Sequence, residues 1–387
     1  MFTDSASLGA GEAMSYAAPF EGLRVLDLSQ GIAGPYAGML LAQHGAEVIK
    51  VEPPGGDWSR TLGKRYGDHT AFSIAANLGK RSIALDLKHH RDRAIAHRLG
   101  ARSDVVMESF RPGVAARLGV GYMELSAVNP RLLYLSVSGF GQSGPESSRP
   151  AMDPILQAFT GLMAMNKGLD GIPHRVVPIV VDMTTAFYAF QSIAVALYAR
   201  RDETAGRYLD TSLMQAAAGL QVIHLMAHHL ENGRMRPALT PSGSYATADG
   251  WMYIVTHRDA DFGRLCEALE IPEVKDDPRF TTNALRSQHL TVLTEALNAA
   301  FARCTTEQLA KRLREAGIMH SPVNDYLDFL RQPQLEATGL IAWLDQPGVG
   351  QVPVPSVPGL PSPLSGSARA KAPSLDEHRA EILAELG

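Results

Sequence analysis

The stretch that most constrains the fold is 22–57, where two apolar runs flank a helical pattern. Residues 23–28 and 47–52 have the length and the Val, Leu and Ile content of short buried strands. Between them, 35–44 carries Ala, Met and Leu at helical spacing, and it starts at Pro35, a residue that a first helical turn tolerates. A strand, a helix and a second strand in this order predict a βαβ unit with parallel strands and a right-handed crossover.

A turn that contains two glycines, Gln30-Gly31-Ile32-Ala33-Gly34, follows the first predicted strand. Open α/β sheets bind ligands at the carboxyl ends of their strands, so the turn is a candidate ligand site. Its glycines do not have the G-x-G-x-x-G spacing of a dinucleotide fingerprint, so the ligand is not identified.

The alternation of strands and helices continues beyond this unit. The sequence predicts strands at 81–87, 104–110, 131–138 and 208–212, the last of them buried, and helices at 90–99, 154–164, 183–200 and 213–230. From 243 the pattern changes to a hairpin at 244–255 with an Asp-Gly turn, followed by helices at 261–269, 284–302 and 305–316, the last with a Thr305/Gln308 capping box. We therefore predict an α/β domain with a mainly parallel sheet and a smaller α+β domain.

Composition narrows the class of protein. The chain has 387 residues, 45% of them hydrophobic and 20% charged, which is typical of a globular protein with a substantial core. A net charge of −4 gives no reason to expect nucleic acid or an anionic membrane as partner. The sequence shows no signal peptide, and we see no apolar run near the length that spans a bilayer. With only Cys266 and Cys304, the chain is expected in a reducing compartment, the cytoplasm.

Two motifs suggest sites that their context does not support. Residues 139–144 (GFGQSG) match G-x-G-x-x-G after a strand, but Pro145 and a polar loop follow instead of a helix. This context argues against a dinucleotide site and favours a mobile glycine loop that covers a ligand. The histidines form adjacent pairs, His89-His90 and His228-His229, and no Cys/His cluster or H-E-x-x-H motif is present. The sequence therefore predicts no metal site.

Basic residues near the predicted strand ends allow two interpretations. Lys80, Arg81, Lys88, Arg111 and Arg117 are most simply a solvated rim. Alternatively they bind a phosphate-bearing ligand, since strand ends bind ligands and Arg suits phosphate.

Asp182 also allows two interpretations. It lies between the apolar run 176–181 and a predicted helix, where Asp is a preferred N-cap. The same position would hold its carboxylate rigidly, and such a carboxylate can act as a nucleophile.

Taken in order, several segments resemble the family III CoA-transferases, the group of the formyl-CoA and carnitine CoA-transferases, to which the α-methylacyl-CoA racemases are related. The segments are LDLS…AGP (26–35), GAEVIKVE (45–52), KRSIALDLK (80–88), SDVVMESFRPG (103–113), SGFGQSGP (138–145), the helix at Asp182, GRYLDTSL (206–213) and YATADGW (245–251). The resemblance extends from about residue 21 to the end of the chain.

The resemblance implies a Rossmann-like large domain built from both chain ends, a small α+β domain, and two subunits that interlock. It implies an N-terminal tail at 1–20, the large domain at 21–229, the small domain at 230–325 and a return segment at 326–387. It also implies that Asp182 is catalytic and that CoA contacts fall on Gln30, Gly31, Ile32, Ala33, Lys88, Phe110, Arg111 and Arg117.

The implied reaction moves CoA from an acyl-CoA to a small carboxylic acid, through an aspartyl anhydride and an aspartyl-CoA thioester. It requires no bound cofactor, because the CoA thioester is the substrate. Backbone donors near Gly139, Gly141, Gly144, Met152 or Gly243 are candidates for facing the developing oxyanions.

The chain departs from particular relatives in ways that bear on its activity. Formyl-CoA transferases carry His and Gln where this chain has Gln30 and Ile32, and an arginine where it has Pro53, which argues against an oxalate-specific enzyme. Racemases carry a catalytic His where this chain has Met152, and Met cannot move a proton. A racemase-like enzyme and a non-catalytic CoA-binding homologue remain as alternatives.

Overall fold

The computed structural model describes residues 18–168, 171–235, 237–363 and 365–387. The chain divides into two compact units, one formed by residues up to Val222 together with Glu336–Gly387, the other by Ile223–Leu335. The boundaries implied by the family resemblance, 229/230 and 325/326, lie seven and ten residues from these.

A six-stranded parallel sheet forms the centre of the first unit. Its strands are β1 (Arg24–Asp27), β2 (Glu47–Glu52), β3 (Arg81–Ala84), β4 (Val105–Glu108), β5 (Leu133–Ser138) and β6 (Arg207–Ser212). They are ordered β3-β2-β1-β4-β5-β6, and every pairing is parallel, so the predicted α/β class is confirmed. The order reverses between β1 and β4, which creates a crevice at their carboxyl ends.

The prediction of a buried strand at 208–212 is wrong in one respect. β6 lies at the edge of the sheet and pairs only with β5 in the described part of the chain, so Arg207, Tyr208 and Asp210 are exposed.

The helices of the first unit up to residue 220 mostly follow the predicted positions. They are α1 (Ala33–Gln43), α2 (Ala71–Asn77), α3 (His90–Ala101), α4 (Val114–Arg117), α5 (Tyr122–Val128), α6 (Asp153–Phe159), α7 (Leu162–Met165), α8 (Val180–Ala199) and α9 (Leu213–Leu220). The single helix predicted for 213–230 is broken after α9. Gln221 interrupts it, and its buried side-chain amide donates to Oγ1 of Thr160 at 3.1 Å.

The second unit is an α+β assembly, as expected. Its helices are α10 (Val222–Leu230), α11 (Asp259–Ala268), α12 (Pro272–Lys275), α13 (Asn283–Gln288), α14 (Leu290–Phe301), α15 (Thr306–Glu315) and α16 (Tyr326–Leu330), and its antiparallel sheet consists of β7 (Ser242–Ala246), β8 (Trp251–Val255) and β9 (Met319–Pro322). The predicted Thr305/Gln308 capping box is present at the start of α15.

The chain then returns to the first unit. The returning segment contains α17 (Pro333–Thr338), a hairpin of β10 (Ile341–Gln346) and β11 (Gly350–Pro355), and α18 (Arg379–Leu386). Just before α18, the N–H of His378 donates to the carbonyl of Ser82 at 3.0 Å, and Asp376 accepts from the N–H of Ala84 at 2.7 Å. The first unit is therefore built from both ends of the described chain.

Each face of the sheet is covered by helices. Alternate residues such as Val25 and Leu26 point to opposite faces and enter different cores. One core contains residues of α1, α6, α8 and α9, and the other contains residues of α3, α5 and α18.

α8 is unusually long and apolar. Its buried side chains recur at helical spacing from Val181 to Ala196, and the helix packs against α1, α9, β5 and β6. On its other side Phe187, Tyr188, Val195 and Tyr198 are exposed. Among the described residues it is the one helix with the length and composition to cross a membrane, contrary to our expectation that no such stretch exists. Its packing against the sheet and the neighbouring helices buries 33% of this apolar window.

Candidate active site

A cavity of about 360 Å³ opens at the carboxyl ends of β1, β4 and β5. It brings together eight of the residues predicted from the sequence: Gln30, Ile32, Ala33, Phe110, Arg111, Gly139, Met152 and Asp182. Its wall also contains Gly34, Trp58, Ser109, Pro112, Val137, Ser138, Ser147, Arg149, Pro150, Ala151 and Leu213. The turn after β1 and the start of α8 thus face one cavity, although about 150 residues separate them in the sequence.

The turn after β1 is held by side chains from two other connections. The N–H of Gly31 donates to both carboxylate oxygens of Asp57, at 3.0 and 3.1 Å. The hydroxyl of Ser109 accepts from the N–H of Gln30 at 2.7 Å and donates to the carbonyl of the same residue at 2.9 Å. Gly31 has φ +83°, and a Cβ there would lie 2.1 Å from Cζ2 of Trp58, so glycine is required.

Buried ion pairs support this turn from below. Lys50 pairs with Asp57 at 3.1 Å and also donates to the carbonyl of Ser29. Lys80 pairs with Asp27 at 2.8 Å, and all four of these charged side chains are almost completely buried. Burial alone would raise the pKa of Asp27, but the two lysines hold it below its ordinary value.

Two of the five basic residues considered as a rim have structural roles instead. Lys80 is buried, and burial lowers its pKa to about 8 even beside Asp27. Arg81 pairs with Glu47 and with Glu385 of α18, each at 2.7 Å, and so joins the two ends of the first unit. The solvated-rim interpretation is therefore wrong for Lys80.

The remaining basic candidates lie in three different places. Arg111 lines the main cavity. Lys88 lines a second cavity of about 170 Å³, and Gln30 and Phe110 line both, so the two cavities adjoin at these residues. Arg117 ends α4, is exposed and lines neither cavity. Their assignment to CoA remains a prediction.

Asp182 is not the N-cap of its helix, so the capping interpretation is wrong. α8 already begins at Val180, with Ile179 in the N-cap position, and Asp182 lies in the first turn. The preceding residues form no strand, because the N–H of Val180 bonds to the carbonyl of Pro178 in a tight turn.

The first turn of α8 is capped by a different residue, Asp153 at the start of α6. Its Oδ2 accepts from the N–H groups of Val181 at 2.7 Å and Asp182 at 3.1 Å. Its Oδ1 accepts from Nε2 of Gln157 at 2.6 Å, and Gln157 in turn forms two hydrogen bonds with the backbone of Val176. This role of Asp153 was not predicted from the sequence. The signal in the sequence was that Gln157 follows Asp153 by four residues, a spacing at which two side chains can contact each other on one face of a helix.

The environment of Asp182 suits a nucleophile. Its side chain is partly buried and faces the cavity. Burial raises its pKa to about 7, and the nearby negative charge of Asp153 acts in the same direction. A carboxylate that is incompletely solvated and easily protonated is more basic, and so more nucleophilic when ionised, than one free in water.

The glycine loop that follows β5 contributes less than expected. Gly139 lines the cavity, whereas Gly141 and Gly144 do not, and both have positive φ. The N–H of Gly141 is already used by Oγ of Ser138 at 3.1 Å, which removes it as a free oxyanion donor in this conformation. Gly243 lies in β7 of the second unit, and its role stays a prediction.

A second buried carboxylate lies behind the cavity wall. Glu108 ends β4 and accepts from the N–H of Phe110 at 2.7 Å and from the hydroxyl of Ser136. Burial raises its pKa to about 7, although these two hydrogen bonds act to lower it. Glu108 was also missed by the sequence analysis. It fixes the backbone that presents Phe110 and Arg111.

Arg149 is a further cation of the cavity wall that the sequence analysis missed. Its Nη1 donates to Glu146 at 3.0 Å, and its guanidinium lies 5.4 and 5.7 Å from the ring centroids of Phe140 and Phe159. The polar sequence of this loop gave no indication of such a fixed arginine.

No cluster of three or more His, Cys, Asp or Glu side chains suited to a metal ion occurs within residues 18–168, 171–235, 237–363 and 365–387.

Comparisons with known proteins identify the family of the chain. The family model described as CoA-transferase family III matches residues 20–379. The chain is 32% identical to the succinyl-CoA:glutarate CoA-transferase of Mus musculus (95% of this chain, 86% of that protein) and 35% identical to the acetyl-CoA:oxalate CoA-transferase of Acetobacter aceti (95% and 96%). A crystal structure of a CAIB/BAIF family protein from Brucella suis is similar with a TM-score of 0.85 and 32% identity, over 96% of this chain and 100% of that one. The chain therefore belongs to family III of the CoA-transferases.

Proposed function

We propose that this protein transfers CoA from an acyl-CoA to a carboxylic acid, with Asp182 as the nucleophile. The observation that carries the proposal is the position of Asp182: a partly buried carboxylate with a raised pKa, in the same cavity as the turn 30–33. A helix cap would not need to face a cavity, and Asp153 already serves as the cap.

The reaction takes place in four substitutions at carbonyl carbons. The Asp182 carboxylate attacks the thioester, and CoA thiolate leaves as the acyl-aspartyl anhydride forms. The thiolate attacks the aspartyl carbonyl of the anhydride, which releases the first acid and leaves an aspartyl-CoA thioester. The acceptor carboxylate attacks this thioester and expels the thiolate again. The thiolate then attacks the acceptor's acyl carbon, which yields the new acyl-CoA and restores Asp182.

The protein contributes position and charge to these steps. CoA would lie along the carboxyl ends of β3, β1 and β4, with its phosphates near Lys88, Arg111 or Arg117 and its thiol in the main cavity. The backbone near Gly139 would face the developing oxyanions. The fixed first turn of α8 keeps the attacking oxygen aligned, which matters because a carboxylate is a weak nucleophile.

We further propose that the acceptor acid is dicarboxylic. The names of the two relatives pair succinyl-CoA with glutarate and acetyl-CoA with oxalate, so both acceptors carry two carboxyl groups, whereas only one of the two donors does. Differences at Gln30, Ile32 and Pro53 argue against oxalate itself, and they leave the longer members of this class.

We also propose that the protein is a homodimer whose subunits interlock. The support is the apolar outer side of α8, where Phe187, Tyr188, Val195 and Tyr198 are exposed in the single chain. Apolar residues that cover one side of a helix next to a cavity are typical of a subunit interface. Sedimentation at nanomolar concentration is expected to show a dimer, and a stable folded monomer would rule out interlocking.

The nucleophile is tested with the Asp182→Asn variant. Amide replaces carboxylate with almost the same shape, so the protein should fold, while turnover should fall by roughly three orders of magnitude or more. Asp345→Asn is the matched control, because Asp345 is exposed in β10 and lines neither cavity. CoA exchange is followed by mass spectrometry with a panel of acyl-CoA donors and acids.

The same samples should reveal the intermediate. After incubation with donor acyl-CoA, hydroxylamine should convert the Asp182 side chain of the wild type into a hydroxamate, with release of CoA. An adduct on another residue, or full activity in Asp182→Asn, would refute the mechanism. Deuterium incorporation at the α-carbon of 2-methylacyl-CoA would instead support a racemase-like enzyme, and binding without any turnover would support a non-catalytic homologue.

A further inference from the structure

Two guanidinium groups line the main cavity, Arg111 and Arg149, and they lie after different strands. Arg111 follows β4 and is adjacent to Phe110, which is shared with the cavity of Lys88. Arg149 follows β5, in the loop that leads into Asp153 and α6. The two arginines therefore border different parts of one cavity.

The order of the strands separates a nucleotide side from an acyl side. Lys88 follows β3 and Arg149 follows β5, and these strands are four positions apart in the sheet, or roughly 19 Å at the usual strand spacing. CoA phosphates bound near Lys88 or Arg111 and a thioester at Asp182 leave the acyl chain to extend toward Arg149. Arg149 is thus too far along the sheet to contact phosphates bound at Lys88, whereas Arg111 lines the same cavity as Arg149.

Arg149 has donors available for an anion, and 47% of its side chain is exposed. Its guanidinium lies over the rings of Phe140 and Phe159, and Nη1 is fixed by Glu146. Within the described residues, no acceptor is bonded to its Nε or Nη2. That edge presents two parallel N–H groups, the arrangement that binds a carboxylate through both oxygens.

We propose that Arg149 binds the distal carboxylate of a dicarboxylic acyl group and thereby sets the preference of the enzyme for dicarboxylic over monocarboxylic acids. The inference depends on the proposed function. While one carboxyl group reacts at Asp182, the other stays ionised, and a partly enclosed cavity stabilises it only with a cation. Because the distal group is bound throughout the reaction, Arg149 contributes to binding and orientation rather than to bond making.

The test compares substrates that differ only at the distal end: succinyl-CoA with butyryl-CoA as donors, and glutarate with valerate as acceptors. In Arg149→Gln the ratio of kcat/KM for succinyl-CoA over butyryl-CoA should fall about 10- to 150-fold, the range produced by losing one charge-assisted hydrogen bond. Arg149→Lys should keep part of the preference, because it retains the charge without the paired N–H groups. Arg207→Gln is the matched control, an exposed arginine that pairs with Glu203 and lines neither cavity.

Each outcome has a distinct meaning. Equal losses for both donors would show that Arg149 only shapes the loop, and an unchanged ratio would refute its role in selectivity. Weaker inhibition by free CoA in Arg149→Gln would assign the arginine to CoA instead. Wild-type transfer restricted to monocarboxylic acids would overturn this inference and the proposed dicarboxylic substrate, while CoA transfer at Asp182 stands. No transfer by the wild type would overturn the proposed CoA transfer itself.

Discussion

The turn after β1 and the start of α8 face the same cavity, but they are stabilised in different ways. The turn is held by many contacts: Asp57 and Ser109 fix its N–H groups, and buried lysines fix Asp57 and the strand below. The start of α8 depends on one carboxylate, Asp153. Loss of a single contact should therefore have different consequences at the two places: deformation of the turn should cost folding energy, whereas a change at Asp153 should mainly alter Asp182.

The largest effect on stability is expected for Gly31→Ala. A left-handed φ disfavours alanine, and the new methyl would collide with the Trp58 ring, so we expect a loss of about 2 kcal/mol or more in the free energy of unfolding, together with weaker CoA binding. Gly55→Ala is the control in the nearby connection, because its Cβ has no neighbour within 4 Å and its φ is not positive. Urea unfolding curves measure both. Equal midpoints for the two variants would show that the turn tolerates deformation.

This contrast also explains how much of the site could be predicted from the sequence. The turn was predictable because strand, turn and helix follow one another directly in the sequence. The Thr305/Gln308 capping box was predictable for the same reason, because its two residues are only three positions apart. Its anchor Asp57 is 26 residues away from Gly31, and nothing in the pattern connects the two. Periodicity identifies an element but not the side chain that supports it from another part of the chain.

The conformation of the segment before Asp182 could not be predicted for the same reason. Its apolar run resembles a strand, but Pro178 interrupts it, and Gln157 takes both backbone hydrogen bonds of Val176 from 19 residues away. These contacts replace the ladder that a strand would need. Asp182 itself was assigned a catalytic role through resemblance to a family, because no local rule distinguishes a nucleophile at this position from a cap.

A smaller effect than the stability loss in Gly31→Ala is expected in the pH dependence of kcat/KM, and it bears directly on Asp182. Only the ionised form of Asp182 attacks the thioester, so kcat/KM should rise with pH through about 7, the raised pKa of this group, and fall about tenfold per unit below it. Glu108 has a pKa near the same value but is buried behind the cavity wall. Glu108→Gln should therefore leave the acidic limb of the profile in place. Disappearance of that limb in Glu108→Gln would assign it to Glu108 instead.

Asp153→Asn then separates position from charge at the start of α8. The amide oxygen can still accept from the N–H groups of Val181 and Asp182, but the amide nitrogen would face the donor Nε2 of Gln157, so a stability loss of about 1 kcal/mol is expected. Removal of the negative charge should lower the pKa of Asp182 and move the acidic limb to lower pH. The limb should stay well above the ordinary range of an aspartate, because burial is the larger of the two causes. A limb that does not move would show that Asp153 acts on Asp182 only as a helix cap, and a shift to higher pH would contradict the assigned sign of its charge effect.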